Sequence, residues 1–408
     1  MLIHAGVLIG ADGKLLHDVK ISVVDGKIDD IMPNSPKSSN ASYAVVTPMF
    51  HNGHSHCEYQ ALESVLPSSE FFPWVRDVVR LKLSLPSKFW LYSTLLGVTK
   101  LLRMGYASTG DCCDSGFAPA FMSALSMDGV CYREVNGLSE EFDGLRCQAI
   151  INTVLNSRLE TTMGIAPHAI YSTCDNILET VAKQSQNVPV CIHVDESPEE
   201  ERFCRFADGP FAEMYVRRGI VRPSPLSSAL QFVDAIGLVT ANTLLVHGCT
   251  WDQDDVAIVK AKNACVAICP ESNRFLRCGS PPVELFYDQD VRMVIGTDSA
   301  LSCHSMSPMH QMKLLMETNP SEDFHRWIFQ SQVTPTIGCS YDVTVGSMAN
   351  FCAFGKGMSF EQGKLHRVIE QVVDFTPDVY RDGSLMTYMP GVSLNRELAS
   401  IVKEISQS

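Results

Sequence analysis

The chain has 408 residues, of which 45% are apolar and 19% charged, and its 46 acidic against 32 basic residues give a formal charge of −14. This composition excludes a disordered or fibrous protein, and the negative balance opposes association with nucleic acid or an anionic membrane surface. The length suits one large barrel of about 250 to 300 residues with an accessory piece.

The N-terminus, MLIHAGVLIGADGK, shows no basic leader followed by a long apolar run, and no later stretch of about 20 apolar residues occurs. The expectation is a cytoplasmic protein. Its fifteen cysteines include no C-x-x-C pair, so a zinc ribbon or thioredoxin-like site is unsupported. Most lie in apolar runs such as Val190-Cys191-Ile192, where a reduced thiol behaves as a small hydrophobe.

Val19 to Val24, the turn Asp25-Gly26-Lys27 and Ile28 to Met32 read as a β-hairpin, and Asn34 to Ser42 as an exposed loop. From about residue 47 to 300, short apolar or β-branched runs alternate with helical periods. Eight such runs occur, at Pro48 to Asn52, Ala107 to Asp111, Gly129 to Asn136, Thr162 to Ala166, Val188 to Val194, Thr243 to His247, Ala264 to Cys269 and Arg292 to Thr297. Eight parallel strands make a (β/α)8 TIM barrel. Between them, Ser87 to Met104 and Asp175 to Ser185 read as helices. After about Gly338, short strands return at Asn350 to Phe354 and Leu385 to Tyr388, with a terminal helix beyond. The expected fold class is therefore α/β, with a barrel over 47–337 and a small β-sandwich built from 1–46 and 338–408.

His54 and His56 follow the first barrel run, and a spacing of two puts both side chains on one face. Alone, such a pair is as often two exposed loop histidines. Three later runs give it weight: His193 ends the run from Val188, with Glu196 three residues on, His247 ends the run from Thr243, and Asp298 comes directly after the last. Strand ends converge at the C-terminal face of a barrel, where active sites lie. Imidazoles with one carboxylate suit zinc or another borderline divalent ion with an open position for water, whose pKa the ion lowers to about 7. Glu196 is placed to move the proton.

These residues sit in motifs that resemble the amidohydrolase superfamily, in its chlorohydrolase and nucleoside-type deaminase branch. The motifs are Pro48-Met49-Phe50-His51-Asn52-Gly53-His54-Ser55-His56, Ala166-Pro167-His168, His193-Val194-Asp195-Glu196, Val246-His247-Gly248, Cys269-Pro270-Glu271-Ser272-Asn273 and Gly296-Thr297-Asp298-Ser299, in the family's order. The resemblance implies that His54, His56, His193 and Asp298 bind one divalent ion, Zn2+ or alternatively Fe2+. It implies Glu196 as proton shuttle, His247 orienting the attacking hydroxide, Asp298 also catalytic, and His168 on the substrate. Members with two ions place a carboxylated lysine at the fourth strand, and Thr161 to Tyr171 holds none.

Within the branch the sequence is most similar to the aminodeoxyfutalosine deaminases, enzymes of a route to menaquinone. Glu58, the segment Phe71-Phe72-Pro73-Trp74, Glu134 and Asp208-Gly209-Pro210-Phe211 carry that similarity. Trp74 would stack on a base or serve as core. Glu58 and Glu134 would bind ribose or a ring nitrogen, or pair with arginines, and Arg133 and Arg274 are candidate carboxylate partners. The implied reaction is hydrolytic deamination of a purine nucleoside-type small molecule. Its rivals are adenosine-type, methylthioadenosine, S-adenosylhomocysteine or guanine deamination, aryl halide or amide hydrolysis, and a barrel scaffold without catalysis. A homodimer is expected by analogy only.

Overall fold

The computed structural model describes residues 1–35, 42–63, 65, 68–220, 227–335, 340–358 and 363–387. The expected terminal helix, and residues 36–41 of the loop from Asn34 to Ser42, lie outside the described residues.

The chain begins with β1 (Leu2–Ile9), β2 (Leu15–Val24) and β3 (Lys27–Met32), and β4 (Ser42–Pro48) then leads into the barrel strands. The β2 to β3 turn is the one expected: Asp25 and Gly26 take φ of 49° and 77°, the left-handed pair that a two-residue hairpin needs. Strands β14 (Phe351–Phe354), β15 (Asp378–Arg381) and β16 (Ser384–Leu385) join the first four in one mixed sheet of order β16-β15-β14-β4-β1-β2-β3. The expected sandwich is thus corrected to a single seven-stranded sheet. Its centre is the parallel pair β1 and β4, which the sequence pattern did not reveal, and the two chain ends extend it from either side. Val7, Ile9, Val45, Cys352 and Phe354 pack into the main core, while Leu8, Ile21, Val46 and Phe351 gather in a separate cluster with Ile28 and Tyr380. Alternation along the strands explains how one sheet serves both.

The remaining strands are β5 (Phe50–His56), β6 (Tyr106–Cys113), β7 (Asp128–Val135), β8 (Thr162–Pro167), β9 (Val190–Val194), β10 (Thr243–His247), β11 (Cys265–Ile268), β12 (Arg292–Ile295) and β13 (Asp298–Ser299). They form a curled parallel sheet of order β12-β11-β10-β9-β8-β7-β6-β5-β13. Because β13 continues β12 across Gly296-Thr297, the chain passes from the β11 edge to the β5 edge. Gly296 N donates to Ile268 O at 2.8 Å and Thr297 N to His54 O at 3.0 Å. Eight chain segments therefore complete the circuit, consistent with the expected barrel, and the last is broken into two strands.

Cys112, Ala166, Cys191, Leu244, Val246, Cys265, Ala267, Cys269 and Val294 form an interior cluster distinct from the one under the helices. Small side chains fill the narrow interior, which accounts for several of the cysteines; all fourteen described ones are free. The helices Ser87–Arg103 and Asp175–Gln184 match expectation to within one residue at their ends.

Candidate metal centre and active site

Each candidate residue sits at or just past the C-terminal end of a strand, and several of these positions require a bent backbone. His247 and Asp298 take φ of 78° and 63°, and Asp195, between His193 and Glu196, takes 50°. The left-handed region is unfavourable for residues with a Cβ, so surrounding structure must hold them there. For Asp195 the restraint is visible: its carboxylate accepts from Ala229 N, Leu230 N and Trp251 Nε1 at 3.2, 3.0 and 2.9 Å.

Three imidazoles, those of His54 and His56 on β5 and His193 on β9, converge on one point. His193 Nε2 lies 3.2 Å from His54 Nε2 and 3.3 Å from His56 Nε2, and Asp298 Oδ1 lies 3.7 and 3.5 Å from those same two His54 and His56 nitrogens. Metal–nitrogen bonds of about 2.0–2.1 Å in a tetrahedron separate the donors by about 3.3–3.4 Å. The three imidazole nitrogens therefore have the spacing of donors sharing one divalent ion, and Asp298 Oδ1 stands beside two of them. Their outer atoms are arranged to match: His193 Nδ1 donates to His168 O at 2.9 Å, which leaves Nε2 with its lone pair inward. Asp298 Oδ2 accepts from Ser272 Oγ at 2.6 Å and Ser302 Oγ at 3.2 Å, which leaves Oδ1 for the centre. His54 Nδ1 meets only sulfur, Cys112 Sγ at 3.8 Å and Cys191 Sγ at 4.0 Å.

Glu196, His247 and Asp298 form a second group of converging donors. His247 Nδ1 bonds Asn273 Oδ1 at 2.8 Å, and its Nε2 faces Glu196 Oε1 at 3.4 Å. Burial, reinforced by the Asp298 charge, pushes the Glu196 carboxyl well above its usual range, whereas burial lowers His247 to about 4. Burial would also raise Asp298, but His54, His56 and His247 hold it well below the usual carboxylate range. The two carboxyl groups are thus driven apart, one toward proton carrier and one toward anion.

The expected substrate residues divide. His168 is half-buried beside the centre, its ring centroid 4.8 Å from that of His193 and its Nδ1 2.8 Å from Ser172 Oγ. Glu134 Oε1 lies 3.8 Å from His56 Nδ1, while Oε2 lies 3.4 Å from Lys82 Nζ. Its partner is that lysine, not an arginine. Glu58 spends its carboxylate on backbone, accepting from Ser115 N at 2.8 Å and Asp114 N at 3.3 Å. Trp74 is half-buried among core side chains and stacks on Phe71 at 6.5 Å, yet its Nε1 is buried without a hydrogen-bond partner. Rings continue from Phe71 to Tyr171 at 6.1 Å and from Tyr171 to His168 at 5.9 Å, linking Trp74 to the centre. Arg133 donates to Asp114 O at 3.1 Å, and Arg274 lines a cavity of ≈ 940 Å³ beside Asn273, Arg277, Glu284 and Leu314. Cys57 donates its amide to Asp111 and joins no group of converging donors among the described residues.

Sequence reasoning missed three contributors. Ser272 and Asn273 stand in the Cys269-Pro270-Glu271-Ser272-Asn273 motif, so a polar pair beside the last strands was available as a signal. Lys82 carried none: it belongs to the helix Phe71–Ser84 and reaches Glu134 and Asp114 only through folding, at 3.4 and 2.9 Å.

The chain is 27% identical over 304 residues to an aminodeoxyfutalosine deaminase of Deinococcus radiodurans, covering 69% of this chain and 70% of that protein. It is 24% identical over 328 residues to a 5-methylthioadenosine/S-adenosylhomocysteine deaminase of Pyrococcus furiosus, covering 77% and 74%. The solved structure of a zinc-bound adenosine deaminase from Xanthomonas campestris superposes with a TM-score of 0.73 at 18% identity, over 100% of this chain and 98% of that one. The family model of the Amidohydrolase family matches residues 45–326, which span every strand that contributes to the centre. With the family model covering more than half of its residues, this chain belongs to the amidohydrolase family and is a hydrolytic enzyme acting on C–N bonds.

Proposed function

We propose that the chain is a metal-dependent deaminase of purine nucleoside-type substrates, with aminodeoxyfutalosine as the preferred substrate and a place in menaquinone synthesis. The observation that carries this reading is the convergence of the His54, His56 and His193 ring nitrogens at 3.2 and 3.3 Å, with Asp298 Oδ1 beside two of them and Glu196 in the adjoining group of donors. The three histidines and Asp298 would hold one divalent ion, zinc first. The donor set of three imidazoles and one carboxylate supports that choice. When bound, the ion supplies Lewis acidity and lowers the pKa of a coordinated water to about 7.

The chain's own groups account for the proton movements. Glu196, whose pKa burial raises so that its carboxylate is a stronger base, takes a proton from the attacking water and delivers it to the ring nitrogen next to the amine-bearing carbon. Asp298 accepts the remaining water proton and returns it to the departing amine, so water and the amidine become the ring amide and ammonia. His247, oriented by Asn273, keeps Nε2 toward Glu196 and the reacting carbon. His168, Glu134 and Trp74 line the approach to the substrate, with Glu58 holding the 113–115 loop against it. The division into a barrel over 47–337 with flanking 1–46 and 338–408 belongs to the same reading.

The relative from Deinococcus radiodurans supports aminodeoxyfutalosine, and the one from Pyrococcus furiosus supports a thioether nucleoside as the competing substrate. The test is ammonia release by the zinc-loaded protein from aminodeoxyfutalosine, adenosine, methylthioadenosine, S-adenosylhomocysteine and guanine, compared by kcat/KM. Highest kcat/KM for aminodeoxyfutalosine is expected. A thioether nucleoside in first place would transfer the assignment, and release from none of the five with metal bound would overturn the nucleoside reading.

A further inference from the structure

Asp111 is among the buried carboxylates that form no ion pair among the described residues. Asp111, on β6, is fully buried; its Oδ1 accepts from Cys57 N at 2.7 Å and Ser55 Oγ at 2.9 Å, and its Oδ2 has no hydrogen-bond partner. A buried anion needs either a compensating cation or a proton. No lysine or arginine forms an ion pair with it among the described residues, but two thiols stand beside it.

The register of the sheet brings them there. Asp111 is paired directly with Cys131 of β7, and Cys113 follows Asp111 by two residues, so all three side chains leave the same face. That is the outer face: Cys113 and Cys131 belong to the core under the helices, whereas Cys112, pointing the other way, belongs to the barrel interior. One donor atom from each of Asp111, Cys113 and Cys131 lies within 4.8 Å of the other two. Tetrahedral bonds of about 2.3 Å to sulfur and 2.0 Å to oxygen require separations of about 3.5 to 3.8 Å, a small closure from there. One further contact favours a ligating sulfur at Cys113: Gly116 N donates to its Sγ at 3.1 Å.

We propose that Asp111, Cys113 and Cys131 form a second metal site, separate from the catalytic one, for a thiophilic divalent cation of the zinc and cadmium class. Binding displaces the two thiol protons to solvent and replaces them with two metal–sulfur bonds, while Asp111 supplies the third ligand. The ion would pin β6 to β7 and, through Asp111, hold Ser55 and Cys57, the neighbours of His56. The proposal does not depend on what the catalytic centre acts on.

The test is a cobalt(II) titration of the reduced, chelator-stripped full chain, read by absorption and by bound cobalt per chain. Two equivalents and a thiolate-to-cobalt charge-transfer band are expected. Cys113→Ser and Cys131→Ser should each lose the band and one equivalent, while Cys191→Ser, which alters the thiol pair inside the barrel, keeps both. Absence of the band from the unsubstituted protein, or its survival in both Cys113→Ser and Cys131→Ser, would overturn the site. Should those variants fail to fold, X-ray absorption of the zinc-loaded Cys191→Ser protein decides: a sulfur shell at about 2.3 Å is expected, and nitrogen and oxygen alone would refute it.

Discussion

Asn273 and His247 are joined by a 2.8 Å hydrogen bond from imidazole Nδ1 to carboxamide Oδ1, across the gap between the end of β10 and the helix Pro270–Phe275 that follows β11. With the amide oxygen facing the ring, Nδ1 carries the proton and Nε2 presents its lone pair toward Glu196. Asn273→Ala should therefore free the ring without touching the metal donors. Loss of such a supporting partner typically lowers activity about 10- to 100-fold. Steady-state kinetics with metal analysis would check it, and an unchanged kcat would remove His247 orientation from the mechanism.

Glu196→Gln keeps shape and burial but removes the proton carrier. Turnover should fall by about two to four powers of ten with the ion retained, the range that a positioned acid–base group supplies. Near-normal turnover by the metal-replete variant would show that another group moves the proton.

Removal of the ion should abolish activity and loosen the fold together. His193 sits between His54 and His56 at 3.2 and 3.3 Å, so His193→Ala takes out the donor shared by both contacts. Ligand linkage gives about 2.7 kcal/mol of stabilisation when the free ion is 100-fold above its dissociation constant. Thermal unfolding with and without zinc should show a clear shift for the unsubstituted chain and little for His193→Ala. An equal shift in both would place the ion elsewhere.

Lys82 holds Glu134, which without it is a buried acid beside another, Asp114. Burial would raise the Glu134 carboxyl, and Lys82, followed by His168 and His56, holds it below its usual value. Lys82→Met should raise KM for nucleoside substrates more than it lowers kcat, because the lost charge acts on substrate placement. A fall in kcat alone, with KM unmoved, would mean that Lys82 serves the chemical step.

Gly97 belongs to the helix Ser87–Arg103 and is where that helix touches the residue after the H-x-H pair. A Cβ there would come within 2.7 Å of Cys57 Cα and closer still to its carbonyl oxygen. Alanine favours a helix over glycine by about 1 kcal/mol, but overpacking against backbone typically costs about 1–3 kcal/mol. Gly97→Ala should thus lower stability despite the better helix former, and weaken metal binding by displacing His56. A denaturation midpoint above that of the unsubstituted chain would contradict the contact.

The order of the barrel strands and the ligand set were legible because both are written locally. A run of apolar residues ending in His193 or His247 announces a strand and its terminal side chain at once, and the parallel sheet then gathers such ends on one face. The hairpin at Asp25-Gly26 was legible for the same reason, since its turn depends on two adjacent residues. Contacts between distant segments were not legible. The pairing of β1 with β4 that makes one sheet of the two ends, the break of the last strand at Gly296-Thr297, the Asn273 bond to His247, the reach of Lys82 to Glu134 and the register that sets Asp111 beside Cys131 all join residues from separate elements. The sequence alone determined which side chains could do chemistry and where strands would deliver them. Only the tertiary structure decided which of them share a hydrogen bond or a counterion, because those energies depend on separation in space and on burial, and neither is set by local periodicity.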